Sequence, residues 1–158
     1  MKYYNVYNYK FCTLGIAEEE AAVSNIFFNG NIPPDGFEKK ETPLIKNAAE
    51  QLTEYFCGKR QAFDLPFSFH GTTFTVNVWK KLLTIPYGET RSYGEIAAMI
   101  GSPKACRAVG MANHNNQIAI IVPCHRVIGH NGSLTGYAGG LELKQKLLEL
   151  EHKYKHAH

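Results

Sequence analysis

Apolar and polar positions in the first 30 residues alternate without helical spacing. Residues 3–11 and 23–28 are rich in Tyr, Phe, Val and Ile and predict strands, with Ala17-Glu18-Glu19-Glu20 as a polar turn between them. The Asn, Gly and Pro residues of 29–36 predict a loop. Thr42-Pro43 opens a helix, with threonine as the cap and proline at the first helical position. Leu44, Ile45, Ala48, Ala49, Leu52, Tyr55 and Phe56 follow as one apolar stripe, stopped by Gly58. Residues 63–69 alternate around Pro66 and predict an edge strand. This half is a small sheet with a helix packed on it. Asp35, Glu38 and Asp64 read as solvated carboxylates, and nothing here suggests chemistry.

The pattern changes from Gly71 onward, so the expected division is an N-terminal α/β domain over residues 1–70 and a C-terminal domain over 71–158. Phe74, Val78 and Leu82, with Trp79 and Leu83, predict a helix ended by Pro86-Tyr87-Gly88. Ser92-Tyr93-Gly94-Glu95 has the form of a capping box, Ile96, Ala97 and Ile100 supply an apolar face, and Gly101 closes the helix. Ser102-Pro103 predicts the start of another helix, with Ala105, Ala108, Val109 and Ala112 on a small-residue face. Two helices so joined make a helix-turn-helix, which serves DNA binding and also occurs in proteins that never touch DNA. The small residues permit close approach to a groove. Arg107 lies among them with no acidic residue three or four positions away.

Composition narrows the picture. The 158 residues are 44% hydrophobic and 20% charged, an ordinary globular balance for one domain or two small lobes. No apolar run approaches the roughly 20 residues of a membrane span, so no membrane association is expected. The start lacks a signal stretch, which predicts a cytoplasmic protein. Cysteines 12, 57, 106 and 124 show neither Cys-x-x-Cys nor zinc-finger spacing, so no metal is expected and each is a small hydrophobe or a reactive thiol. Residues 1–70 carry a net charge of −2 and residues 71–158 a net +5, with six of the seven histidines in the second part. The C-terminal half is therefore the candidate for an anionic partner such as nucleic acid.

The continuous apolar run 118–122 predicts a buried strand ended by Pro123, and Cys124-His125-Arg126-Val127 follows. A reactive thiol needs its thiolate, which a base, cationic neighbours or turn N–H groups favour; His125 and Arg126 are candidates for base and charge. The alternative is a buried cysteine beside a satisfied histidine. Pro123-Cys124-His125-Arg126-Val127 resembles the active-site signature of the O6-alkylguanine-DNA alkyltransferases, the methylated-DNA–protein-cysteine methyltransferases. Ser92-Tyr93-Gly94-Glu95-Ile96-Ala97, Arg107-Ala108-Val109-Gly110, Asn116, Tyr137-Ala138-Gly139-Gly140-Leu141 and Lys144 also stand where that family has them. The resemblance is close over about residues 71–153; the N-terminal half is similar in size and strand–helix order.

The resemblance implies an α+β fold, with a ribonuclease H-like N-terminal sheet-and-helix domain and a mostly helical, winged-helix-like DNA-binding lobe. It implies irreversible, single-turnover transfer of an alkyl group from guanine O6 in DNA, with O4-methylthymine a further candidate substrate, onto Cys124. His125 would act as base through a water, Glu151 would orient His125, and Asn116 would tie the preceding loop to the turn. Glu142 and Glu149 would look equally good without the family spacing. Arg107 would fill the gap left by a flipped nucleotide and Tyr93 would assist the flip, with Lys104 a further DNA contact. Tyr137 would wall the base pocket, and backbone groups of Val127 and Ala138 would read the guanine. The implied partner is double-stranded DNA containing alkylated guanine, approached from the minor groove by a monomer, with no cofactor and no metal. Two rival readings are a helix-turn-helix regulator in which Cys124 is dispensable and a Cys-His hydrolase that turns over. A lesion-binding alkyltransferase-like protein would lack the cysteine that is present here.

Overall fold

The computed structural model describes residues 1–28 and 35–156, which fall into two compact units, Met1–Phe69 and His70–His158. The loop expected at 29–36 lies outside the described residues except for Asp35 and Gly36. The architecture is α+β.

Four strands form the sheet of the first unit in the order β3-β2-β1-β4: β1 Lys2–Asn8, β2 Thr13–Glu19, β3 Ala22–Phe28 and β4 Glu38–Lys39. β1 and β2 are antiparallel from Lys2↔Glu19 to Asn8↔Thr13, β2 and β3 are antiparallel, and β4 runs parallel to β1. The turn expected at 17–20 is instead mostly strand. The reversal falls at Glu20 and Ala21, both with positive φ (53° and 61°), the pair of conformations that a tight hairpin of the right twist demands. Burial explains the strand: Glu18 is covered and accepts a hydrogen bond from Thr42 Oγ1, so it is no solvated turn residue. Gly15 is in β2 because Phe27 lies across it; a Cβ there would come 2.0 Å from the ring.

Helix α1, Pro43–Phe56, lies against this sheet, with Thr42 Oγ1 accepting from Ile45 N as the cap. Its Ile45, Ala48, Leu52 and Tyr55 are buried, as are Leu14, Ile16, Val23 and Ile26 of the sheet. Among the described residues, 63–69 form no strand, only the single bridge Val23↔Phe67. Pro66 has no N–H to extend a ladder, although its carbonyl accepts from Val23 N.

The second unit packs α2 Thr73–Leu82, α3 Tyr93–Met99 and α4 Cys106–His114 on one another. Trp79 Nε1 donates to Ala112 O at 2.9 Å and so links α2 to α4. The α3 capping box is formed: Ser92 Oγ accepts from Glu95 N and Glu95 accepts from Ser92 N. Gly101, at φ 78°, ends this region with bonds from Gly101 N to Ala98 O and Ser102 N to Ala97 O. The next helix does not begin at Ser102-Pro103. Those residues and Lys104 make a turn, and α4 starts at Cys106 with Ala105 as an N-cap that makes no side-chain bond. β5 Arg91–Ser92 pairs in parallel with β6 Val127–Ile128, and α5 spans Leu141–Tyr154.

The expected strand at 118–122 is a buried turn. Ile118 to Val122 are all buried, but Ile120 has φ 72° and the backbone folds on itself through Val122 N to Ile118 O. An apolar run records burial, not extension. No helix among the described residues is long and apolar enough to cross a membrane.

Candidate active site

Cys124, His125 and Arg126 occupy one turn of 3-10 helix that follows the buried turn and precedes β6. Asn116 ties the ends of that buried turn: Ile118 N donates to its Oδ1 at 3.1 Å and its Nδ2 donates to Val122 O at 2.8 Å. Asn113, at the C-terminal end of α4, donates from Nδ2 to the carbonyl of Cys124 at 3.3 Å. The backbone carbonyls of Val122 and Cys124 are thus each held by an asparagine side chain.

Cys124 is buried, and burial pushes its thiol up to about 11, with the Asn116 side chain and the Lys144 charge pulling the other way. At neutral pH the group is a thiol that needs a base. His125 is fully buried. Burial lowers its pKa against the opposing pull of Glu151, so the ring is neutral. Its Nε2 lies 2.6 Å from Glu151 Oε2. Burial pushes the Glu151 carboxyl up, but the His125 and Arg126 partners outweigh it and hold the group well below the usual carboxylate range. A carboxylate can only accept, so Nε2 carries the ring proton and Nδ1 keeps its lone pair.

Arg126 is not a charge aimed at the thiol. Its Nε donates to Glu151 Oε1 at 2.7 Å, its Nη2 to Oε2 at 3.0 Å, and its Nη1 to Ile85 O at 2.7 Å. Gly88 N adds a fourth donor to the same carboxylate at 3.2 Å. The guanidinium therefore braces the turn, and the positive group that favours the Cys124 thiolate is Lys144. Lys144 is fully buried on α5, and its Nζ donates to Val127 O at 2.6 Å and Thr135 O at 2.9 Å. Of the three glutamates on α5, Glu142 pairs with Lys146 and Glu149 accepts from Gln145, both at the surface; Glu151 alone of these turns inward.

Of the remaining sequence-predicted residues, Val127 and Tyr93 are linked to this network through Lys144 and Thr135. Tyr93 heads α3, and its hydroxyl is 2.6 Å from Thr135 Oγ1. Arg107 on α4 and Lys104 in the preceding turn are exposed, and neither makes an ion pair with another of the described residues. Tyr93, Cys106, Arg107, Gly110, His130 and Thr135 line a cavity of about 440 Å³, whose wall does not include Cys124. Tyr137 and Val127 are buried and Ala138 is exposed. Among the described residues, no group of three or more His, Cys, Asp or Glu is placed to hold a metal ion.

Residues 73–153 match the family described as "6-O-methylguanine DNA methyltransferase, DNA binding domain", and residues 2–69 match "6-O-methylguanine DNA methyltransferase, ribonuclease-like domain". The constitutive methylated-DNA–protein-cysteine methyltransferase of Bacillus subtilis is 49% identical, with 96% of each chain covered. The methylated-DNA–protein-cysteine methyltransferase of Methanosarcina mazei is 47% identical over 94% of this chain and 96% of its own. Among solved structures, Mycobacterium tuberculosis OGT in complex with DNA superposes with a TM-score of 0.91 at 46% identity, covering 96% of this chain and 94% of that one.

Proposed function

The chain belongs to the 6-O-methylguanine DNA methyltransferase family, and from that premise we propose that Cys124 takes the alkyl group from O6-alkylguanine in DNA. The protein is a DNA repair alkyltransferase, and DNA is its partner. The observation that carries the residue assignment is a neutral, buried His125 fixed through Nε2 on the Glu151 carboxylate, one residue from a buried, protonated Cys124. The arrangement has the roles of a triad: nucleophile, base and orienter.

In the proposed step the thiol proton passes through a water to His125 Nδ1, and the imidazolium is balanced by Glu151. The sulfur attacks the alkyl carbon, the carbon–O6 bond breaks, and its electron pair goes to the guanine. Tyr93 donates to the base as that charge develops, and the thiol proton is finally returned to the guanine. The product is a thioether, which no neighbouring group cleaves, so each chain acts once. O4-alkylthymine offers the same chemistry in a different shape.

A base within the duplex cannot reach Cys124, so the nucleotide is flipped out. Arg107 fills the stack, Tyr93 helps the flip, and Lys104 contacts phosphate. Tyr137 walls the pocket, and Val127 and Ala138 read the guanine with backbone groups. The Val127 carbonyl already accepts from Lys144, and its second lone pair serves an exocyclic amine. Entry of α4 into the minor groove suits a protein that must act at any sequence, because that groove carries a degenerate code. In this reading the C-terminal unit does the chemistry alone, as a cytoplasmic monomer. Titrating a duplex carrying one O6-methylguanine against the protein tests it. Repaired strands should level off at one per chain, and Cys124→Ala should repair none while still binding DNA. Repair that continues beyond one strand per chain would contradict the assignment.

A further inference from the structure

Lys144 is a fully buried ammonium that has no carboxylate partner among the described residues. Buried lysines are rare and normally paired, because taking the charge out of water costs several kcal/mol. An apolar side chain of similar length would fill the same space on α5, beside Leu143 and Leu147, without that cost. What the ammonium does instead is bridge two backbone segments. Val127 O, at 2.6 Å, belongs to the strand that leaves the Cys124 turn. Thr135 O, at 2.9 Å, belongs to the loop 129–140, which carries Tyr137 and Ala138. The Thr135 hydroxyl then meets the Tyr93 hydroxyl at 2.6 Å, and both residues line the cavity that Arg107 and Cys106 also line. One hydrogen-bonded line therefore runs from α5 through Lys144 and Thr135 to the head of α3, with a branch to the exit of the active-site turn.

We infer that Lys144 is a positioning residue: acting through Thr135 and Val127, it holds the loop 129–140 and the Tyr93 phenol in the geometry that receives the alkylated base. This rests on the reading of Cys124 as alkyl acceptor. Either hydroxyl of the Tyr93–Thr135 pair can donate. When Thr135 donates to the tyrosine oxygen, the phenol proton is free to point at an incoming base. Valine at 135 keeps the shape and removes that control.

The test is the single-turnover rate of methyl transfer from a duplex carrying O6-methylguanine, with DNA affinity measured alongside. Lys144→Met should slow transfer roughly ten- to hundredfold, the scale on which an ångström of misplacement acts, and leave the affinity nearly unchanged. Thr135→Val should slow transfer several-fold in the wild-type background and add almost nothing in a Tyr93→Phe background, since the two hydroxyls act as one unit. Transfer by Lys144→Met at the wild-type rate, or a loss of rate matched by an equal loss of affinity, overturns the inference. If Lys144→Met does not fold, the Thr135–Tyr93 cycle decides, and additive losses overturn it. Wild-type protein that takes up no methyl group instead overturns the functional reading beneath it.

Discussion

Arg126 grips Glu151 with two hydrogen bonds, Nε to Oε1 at 2.7 Å and Nη2 to Oε2 at 3.0 Å, and so fixes the carboxylate that also holds His125. Orientation of the imidazole therefore depends on an arginine whose own bonds go to Glu151 and the Ile85 carbonyl. Replacing Arg126 with Met should leave Glu151 as a buried charge short of donors. The expected cost is about 3–5 kcal/mol of stability. Denaturant unfolding checks this, and a change within about 0.5 kcal/mol, the range of ordinary surface substitutions, would contradict the bracing role.

Acid should destabilise the fold in two stages. Burial lowers the His125 pKa below its ordinary 6.5, so as the pH falls past that value the unfolded chain takes up a proton that the folded ring resists. Glu151, held ionised in the fold, adds a second loss beginning near its ordinary value of 4.5, where the unfolded carboxyl protonates first. The contribution of each group is fully present above its unfolded value. Thermal midpoints from pH 8 to pH 4 should fall throughout the acid limb, and His125→Asn should flatten its upper part. A midpoint that rises between pH 7 and pH 5 would contradict the neutral assignment of His125.

Arg107→Ala should slow repair in duplex DNA much more than reaction with free O6-benzylguanine. The free base needs no flipping, whereas unstacking in the duplex costs a few kcal/mol that an inserted side chain offsets. Single-turnover rates on the two substrates give the ratio. Equal losses would remove Arg107 from the flipping step.

Binding should be salt-dependent to a modest degree. Lys104 and Arg107 are exposed cations near α4, Arg91 is engaged with Glu89, and Arg126 is buried on Glu151. Two phosphate contacts give a log–log slope of about −2, and Lys104→Ala should flatten it by about 1 on any sequence. A slope near zero, or a strong preference between two unrelated duplexes, would mean that a different surface meets the DNA.

Much of this was legible in the sequence because local rules and tertiary structure agree. Thr42-Pro43, the Ser92–Glu95 box and Gly101 cap helices as their chemistry predicts. Where tertiary contacts decide, local rules point elsewhere. β2 contains Gly15 and two glutamates, a poor strand by composition, and exists because Phe27 covers the glycine and Thr42 binds Glu18. The turn at 118–122 looks like a strand because both are apolar when buried, and only Asn116, bonded to both ends, marks it as a turn. Glu151 and Lys144 carry a signal of their own besides the family spacing. They lie seven residues apart on the stripe of Leu143, Leu147 and Leu150, so both face the core. The division of labour between Arg126 and Lys144 had no such signal. Two cations in one neighbourhood differ only in where their side chains reach.

In the proposed reaction Cys124 itself becomes the alkylated product. The decisive measurement is intact mass after incubation with a duplex carrying O6-methylguanine, followed by peptide mapping. One added methyl group per chain, found on the peptide containing Cys124 and absent from Cys124→Ala, is the expected result. An unchanged mass with repaired DNA, or a methyl group on Cys106, Cys57 or Cys12, would contradict it.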